Sequence, residues 1–168
     1  GPDAGPSSSA FGLARPGAGG VGLGSGTLQT TASLTSDRAF AVTGNGTILT
    51  DQGTTFTLNG LLSDTGALSK DGAGTLLLTG DNSGYVAATT VAGGTLAVDG
   101  VLGSAVAVNE GGRLEGNGRV GPVTNAGMVA AGRDGFGTLT IAGAYAGNNG
   151  TLEIEAELGG DASRTDRL

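Results

Sequence analysis

Apolar and polar residues alternate in short runs along this chain, and the runs recur. Thr55-Phe56-Thr57-Leu58, Thr75-Leu76-Leu77-Leu78 and Thr95-Leu96-Ala97-Val98 lie 20 residues apart, as do Thr27-Leu28 and Thr47-Ile48. Further copies read Gly137-Thr138-Leu139-Thr140-Ile141 and Gly150-Thr151-Leu152-Glu153-Ile154. Alternation over four or five positions, closed by glycine, predicts strands. A fixed step of this length marks an array whose units bury their apolar sides on one another. The pattern therefore predicts an all-β chain, a parallel β-solenoid of about seven coils of ~20 residues with three faces. No stretch sustains apolar residues at helical spacing, so essentially no helix is expected.

Strand parity assigns the faces. It turns Phe56/Leu58, Leu76/Leu78, Leu96/Val98, Leu139/Ile141 and Leu152/Ile154 inward. It leaves Thr55, Thr57, Thr75, Thr95 and Ala97 as a small, flat outer surface. A second column is expected through Leu28, Ile48 and Leu68, and a third through Phe40, Leu61 or Leu62, and Leu102. Asn45-Gly46, Asn59-Gly60, Asp71-Gly72, Asp99-Gly100, Asn117-Gly118 and Asn149-Gly150 mark corners, because such pairs tolerate left-handed backbone angles.

Three regions follow. Residues 1–24 are rich in Gly, Pro, Ser and Ala and read as an irregular arm or first partial coil. Gly17-Ala18-Gly19-Gly20-Val21-Gly22 spells a dinucleotide-loop pattern, but no strand precedes it and no helical pattern follows, so it reads as loop. Residues 25–100 are the regular repeats. Residues 101–168 are less regular, because Gly94, Gly112, Gly137 and Gly150 are unevenly spaced and an excursion is expected around Arg133-Asp134-Gly135-Phe136. Gly1-Pro2 has the form left by protease cleavage, and Leu168 falls in an apparent strand start, so a longer natural protein is expected.

Composition sharpens this picture. Of 168 residues, 36 are Gly and 4 are Pro without a G-X-Y period, which excludes collagen. Charged residues are only 14%, unlike a disordered chain. The net charge of −7, with Lys70 the single lysine, disfavours nucleic acid and anionic membrane surfaces. Neither His nor Cys occurs, which removes His-based triads, thiolate nucleophiles and the common His or Cys metal sites. No apolar run is long enough to span a bilayer, and no signal-peptide pattern opens the chain.

β-Solenoids can carry glycosidase chemistry, which needs two nearby carboxylates. Asp51 and Asp71 stand four residues before Thr55 and Thr75 and are expected to stack. The pair reads first as turn caps, with a shared calcium ion or catalysis as alternatives. Glu153, Glu155 and Glu157 form an acidic outward stripe that suits a solvated, edge-protecting strand, with a cation site as the alternative. Asn45-Gly46-Thr47 and Asn149-Gly150-Thr151 spell the glycosylation triplet but read as turn plus strand start. Tyr85 and Tyr145 are expected at corners, and Arg113, Arg119 and Arg133 to be solvated. No catalytic, cofactor or metal residue is assigned, and no cofactor is expected.

Residues 70–99 carry a more specific signal. Lys70-Asp71-Gly72-Ala73-Gly74-Thr75-Leu76-Leu77-Leu78-Thr79-Gly80-Asp81-Asn82, then Tyr85, Thr89-Thr90-Val91 and Gly93-Gly94-Thr95-Leu96-Ala97-Val98, resemble the autotransporter-associated β-strand repeat of bacterial type V secreted passengers. An extra residue between Asn82 and Tyr85, and Ala87-Ala88 in place of Gly-Gly, predict a bulge or shifted corner. Gly112-Arg113-Leu114-Glu115-Gly116-Asn117-Gly118, Asn125-Ala126-Gly127 and Thr165-Asp166-Arg167-Leu168 resemble the membrane-proximal part of such passengers.

The resemblance, over residues 26–168, implies a right-handed β-helix exported through the protein's own C-terminal outer-membrane barrel, and freedom from Cys fits passage through a pore. It implies a non-enzymatic stalk displayed at the bacterial surface or secreted, with residues 101–168 as a folding template. The alternatives are an adhesin or self-association module, whose partners are host surface molecules or another copy, and a carbohydrate-active enzyme. No nucleic-acid partner and no membrane insertion by this segment are expected.

Overall fold

The computed structural model describes residues 20–133 and 136–154. Every regular element among them is a strand, and all strand pairs are parallel. The first face stacks seven strands: Thr27–Thr30, Gly46–Thr50, Leu68–Asp71, Thr89–Val91, Val106–Val108, Val123–Asn125 and Tyr145–Gly147. The second stacks seven more: Leu34–Ser36, Thr55–Leu58, Thr75–Leu78, Gly94–Val98, Gly112–Glu115, Met128–Ala130 and Thr151–Glu153. The chain is thus a parallel β-solenoid of about seven turns, as the repeat period predicts.

The third face has two sections. Val21–Gly22, Phe40–Ala41 and Leu62–Ser63 form one; Asp81–Asn82, Val101–Leu102, Arg119–Val120 and Thr140–Ile141 form the other. At the break, Asn82 Oδ1 accepts from the Leu62 backbone N–H at 2.8 Å. A buried amide side chain thereby replaces a missing backbone pairing. The extra residue of the 70–99 repeat is absorbed just beyond, in the turn that buries Tyr85.

The core is a set of aliphatic columns. Leu34, Phe56, Leu76, Leu96, Leu114 and Val129 succeed one another in register along the second face. From Phe56 to Val129 each is fully buried, whereas the intervening Thr55, Thr57 and Thr75 are half-exposed. Phe40 meets Phe56 edge-on across the interior at 5.9 Å between ring centres. On the third face Leu62 takes the inward place and Leu61 is exposed.

Four expectations need correction. Leu68 does not continue the column of Leu28 and Ile48: it stands opposite Gly46, and Lys70 stands opposite Ile48. The coil there has two extra residues on the corner after Thr50, so one period does not hold on every face. Ala97 is fully buried, because its small side chain lies between Leu77 and Glu115 of the adjoining coils. The Gly137-to-Ile141 unit joins the third face, and Met128–Ala130 takes the expected place on the second. Leu139 is buried there, but Ile141 is only half-buried. Leu152 and Ile154 are exposed, since the strand Thr151–Glu153 has a neighbour on one side only among the described residues.

Corner glycines are set chiefly by close stacking. A Cβ on Gly60 would strike the Arg38 carbonyl, one on Gly100 the Gly80 carbonyl, and one on Gly118 the Gly100 carbonyl. Among the described Asn-Gly and Asp-Gly pairs only Gly72 (φ 78°) and Asn149 (φ 66°) take left-handed angles. Residues beside these glycines add cross-coil hydrogen bonds: Asn59 Nδ2 donates to Asp37 at 2.8 Å, and Thr79 Oγ1 donates to Asn59 Oδ1.

The face assignment makes a direct prediction. Leu76→Asp places an unpaired carboxylate in the column and should cost roughly 3–5 kcal/mol. Thr75→Asp, on the outer side, should cost under about 1 kcal/mol. Urea denaturation of the two variants checks this, and equal losses would refute the parity reading.

Candidate functional site

Asp51 and Asp71 do not stack. Leu49 is the register partner of Asp71, so the two acids are offset along the coil direction. Asp51 instead accepts from Gln29 Nε2 of the preceding coil at 2.8 Å, while its backbone carbonyl accepts from Thr54. Asp71 turns its carboxylate onto the Gly72 N–H at 2.8 Å. Only Asp71 uses its carboxylate to cap its own corner, while the Asp51 carboxylate links its coil to the preceding one.

The arginines are dispersed. Arg113 on the second face pairs with Glu115 at 2.7 Å and reaches Glu153, two coils on, at 3.2 Å. Arg133 pairs with Asp99 at 2.9 Å. Arg119 lies exposed on the third face. Glu153 is therefore part of a cross-coil ion pair; Glu155 and Glu157 lie outside the described residues, as do Gly17–Gly19 and Thr165–Leu168. Within the glycine-rich loop, Val21–Gly22 is a strand paired with Phe40–Ala41.

Tyr85 follows a turn, as expected, whereas Tyr145 opens the first-face strand Tyr145–Gly147 and so does not stand at a corner. Tyr85 is buried, and its hydroxyl donates to the Gly66 carbonyl of the preceding coil. Burial pushes its pKa up to about 12. Tyr145 is partly exposed, and its hydroxyl accepts from Asn125 Nδ2 at 3.0 Å. The same buried amide donates to the Thr151 carbonyl and accepts from the Gly127 N–H, so Asn125 ties three segments together. An open groove of about 440 Å³ lies beside it, over Gly112, Arg113, Met128, Asn149 and Thr151, with Glu110 at its rim. Its one cation is already committed to Glu115 and Glu153.

Lys70 is the residue that the sequence reading missed. It is fully buried, its stem stacked between Ile48 and Val91. The ammonium reaches the corner and donates to three carbonyls: Asp71 at 2.5 Å, Gly72 at 3.0 Å and Gly93 at 3.3 Å. Gly93 belongs to the next coil, so one side chain fastens two corners. Burial lowers its pKa to about 8, against the opposing pull of Asp71. Strand parity held the signal, because Lys70 alternates with Ser69 exactly as inward Leu68 does.

Comparison with known proteins now bears on these features. Residues 68–98 match the family described as the passenger-associated-transport-repeat, and so contain both Lys70 and Tyr85. The chain is 48% identical over 146 residues to the adhesin BmaC autotransporter of Brucella suis biovar 1 (strain 1330), covering 87% of this chain and 4% of that protein. It is 44% identical over 82 residues to an extracellular serine protease of Serratia marcescens, covering 48% of this chain and 8% of that one. The chain therefore spans only a small fraction of either relative. No solved structure gives a significant match. The repeat and the relatives support an autotransporter passenger at a cell-surface or secreted location.

The two shifted groups predict an alkaline stability profile. Between pH 8 and about 10 the unfolded chain holds the Lys70 proton more tightly than the folded one, so stability should rise with pH. From about pH 10 to 12 the unfolded chain loses the Tyr85 proton first, so stability should fall. Urea midpoints across this range should show a maximum near pH 10. Lys70→Met should abolish the rising limb and leave the fall.

Proposed function

We propose, from the premise that the chain is a β-helix segment of an autotransporter passenger, that it serves as a non-catalytic stalk supporting secretion-coupled folding and surface display. The observation that carries this reading is the continuous parallel pairing of coil on coil along two seven-stranded faces. Each coil offers the next a preformed edge, which lowers the cost of ordering it. Folding can then advance one coil at a time as the chain emerges from a pore. The association with an outer-membrane barrel of the same protein follows from the passenger premise. Residues 101–168, which resemble the membrane-proximal part of such passengers, are proposed as the template.

The engagement of the Asp51 carboxylate by Gln29 and of the Asp71 carboxylate by the Gly72 N–H supports the stalk over a glycosidase, since the acid pair is the feature on which the enzymatic reading depended. A second reading, an adhesive or self-associating surface, is favoured by similarity to a protein named as an adhesin. The half-exposed Thr55, Thr57, Thr75 and Thr95 of the second face would supply its flat surface.

Display of the chain fused ahead of an outer-membrane barrel tests the proposal. Leu96→Asp, which breaks the stack, should reduce the surface-exposed population several-fold by flow cytometry. Thr95→Asp should leave display intact. If both variants reach the surface as well as wild type, stacking does not drive export. Loss of host-cell or self binding in Thr95→Asp, with display unchanged, would favour the adhesive reading instead.

A further inference from the structure

We propose that Asn149 is a site of spontaneous deamidation, selected by the fold from four Asn-Gly sequences. The reaction needs a free side-chain amide and a following backbone nitrogen able to reach it. The Gly150 nitrogen attacks the Asn149 side-chain carbonyl carbon and gives up its proton. The bond to the side-chain nitrogen breaks, and ammonia leaves. Water then opens the cyclic succinimide to aspartate or isoaspartate. Solvent is the only co-reactant.

Three of the four sequences are locked. The Gly46 N–H donates to the Ala67 carbonyl of the next coil at 3.0 Å, which turns that nitrogen away from Asn45. The Gly118 N–H donates to the Val98 carbonyl at 2.9 Å and removes the Asn117 nucleophile in the same way. At Asn59 the side chain itself is held, its nitrogen on Asp37 and its oxygen under Thr79 Oγ1. Asn149 escapes both kinds of lock. Its side chain is exposed, and among the described residues neither that side chain nor the Gly150 N–H has a hydrogen-bond partner. The residue stands at φ 66°, a left-handed conformation that a short amide side chain tolerates. It also sits on the last described coil, where the strand Thr151–Glu153 is paired on one side only.

The product would matter locally. A new carboxylate would join Glu110 at the groove beside Arg113. The isoaspartate form would also add a backbone carbon to the corner that delivers Thr151 to the Gly127 carbonyl.

Peptide mapping by mass spectrometry after incubation in mildly alkaline buffer tests this. Locked sites must first open locally, so Asn149 should deamidate at least about tenfold faster than Asn45, Asn59 or Asn117 in the native protein. In concentrated urea the four rates should converge, since every site is then an unfolded Asn-Gly pair. Any other native ranking overturns the proposal. So does an equal lead for Asn149 in urea, which would place the selectivity in the neighbouring sequence rather than in the fold.

Discussion

Everything in this molecule depends on backbone pairing between successive coils. Parallel strands must approach to about 4.8 Å along all three faces. That distance leaves little room where the chain turns, and glycine fills the tightest corners, as at Gly60, Gly100 and Gly118. It brings like positions into register, so an inward aliphatic residue in one coil meets another in the next. It also determines which polar groups must be buried. Where the third face breaks, Asn82 supplies the missing acceptor, and where two corners meet, Lys70 supplies three donors.

The second face was legible from the sequence between Thr55 and Val98, because its step is constant over those coils. Thr55, Thr75 and Thr95 align in the structure as their spacing implies, and the inward turn of Phe56, Leu76 and Leu96 follows from parity. The first face was less legible. Residues inserted at a corner change the step on one side of a coil and not on the other. This displaced Leu68 from Ile48 and separated Asp51 from Asp71. Beyond Gly100 the coil length varies, so a strand-like unit such as Gly137 to Ile141 could not be assigned to a face by period alone. Lys70 was overlooked because a charged residue is ordinarily read as solvated. Its alternation with Ser69 pointed inward, and the carbonyls that compensate its burial come from corners whose geometry no linear pattern displays.

The same organisation shapes the functional account. Polar contacts in this fold mostly run from coil to coil, as in the pairs Gln29–Asp51, Asn59–Asp37 and Arg113–Glu153. Such contacts couple neighbours and give an elongating stack cohesion beyond its aliphatic columns. The acids that first suggested catalysis are engaged in this coupling or in capping their own turns. A stalk needs this nearest-neighbour cooperativity, and the chain spans only a small fraction of the much longer relatives it matches.

The central claim is that coil spacing, rather than glycine's backbone freedom, selects the residues at the tight corners. Gly100 and Gly84 separate the two causes, since neither requires a positive φ. A Cβ on Gly100 would overlap the carbonyls of Gly80 and Thr79, whereas one on Gly84 would meet nothing within 4 Å. Urea denaturation of Gly100→Ala should show a loss of about 2 kcal/mol or more. Gly84→Ala should be neutral or stabilising by up to about 1 kcal/mol. Equal stability of the two variants would contradict the account.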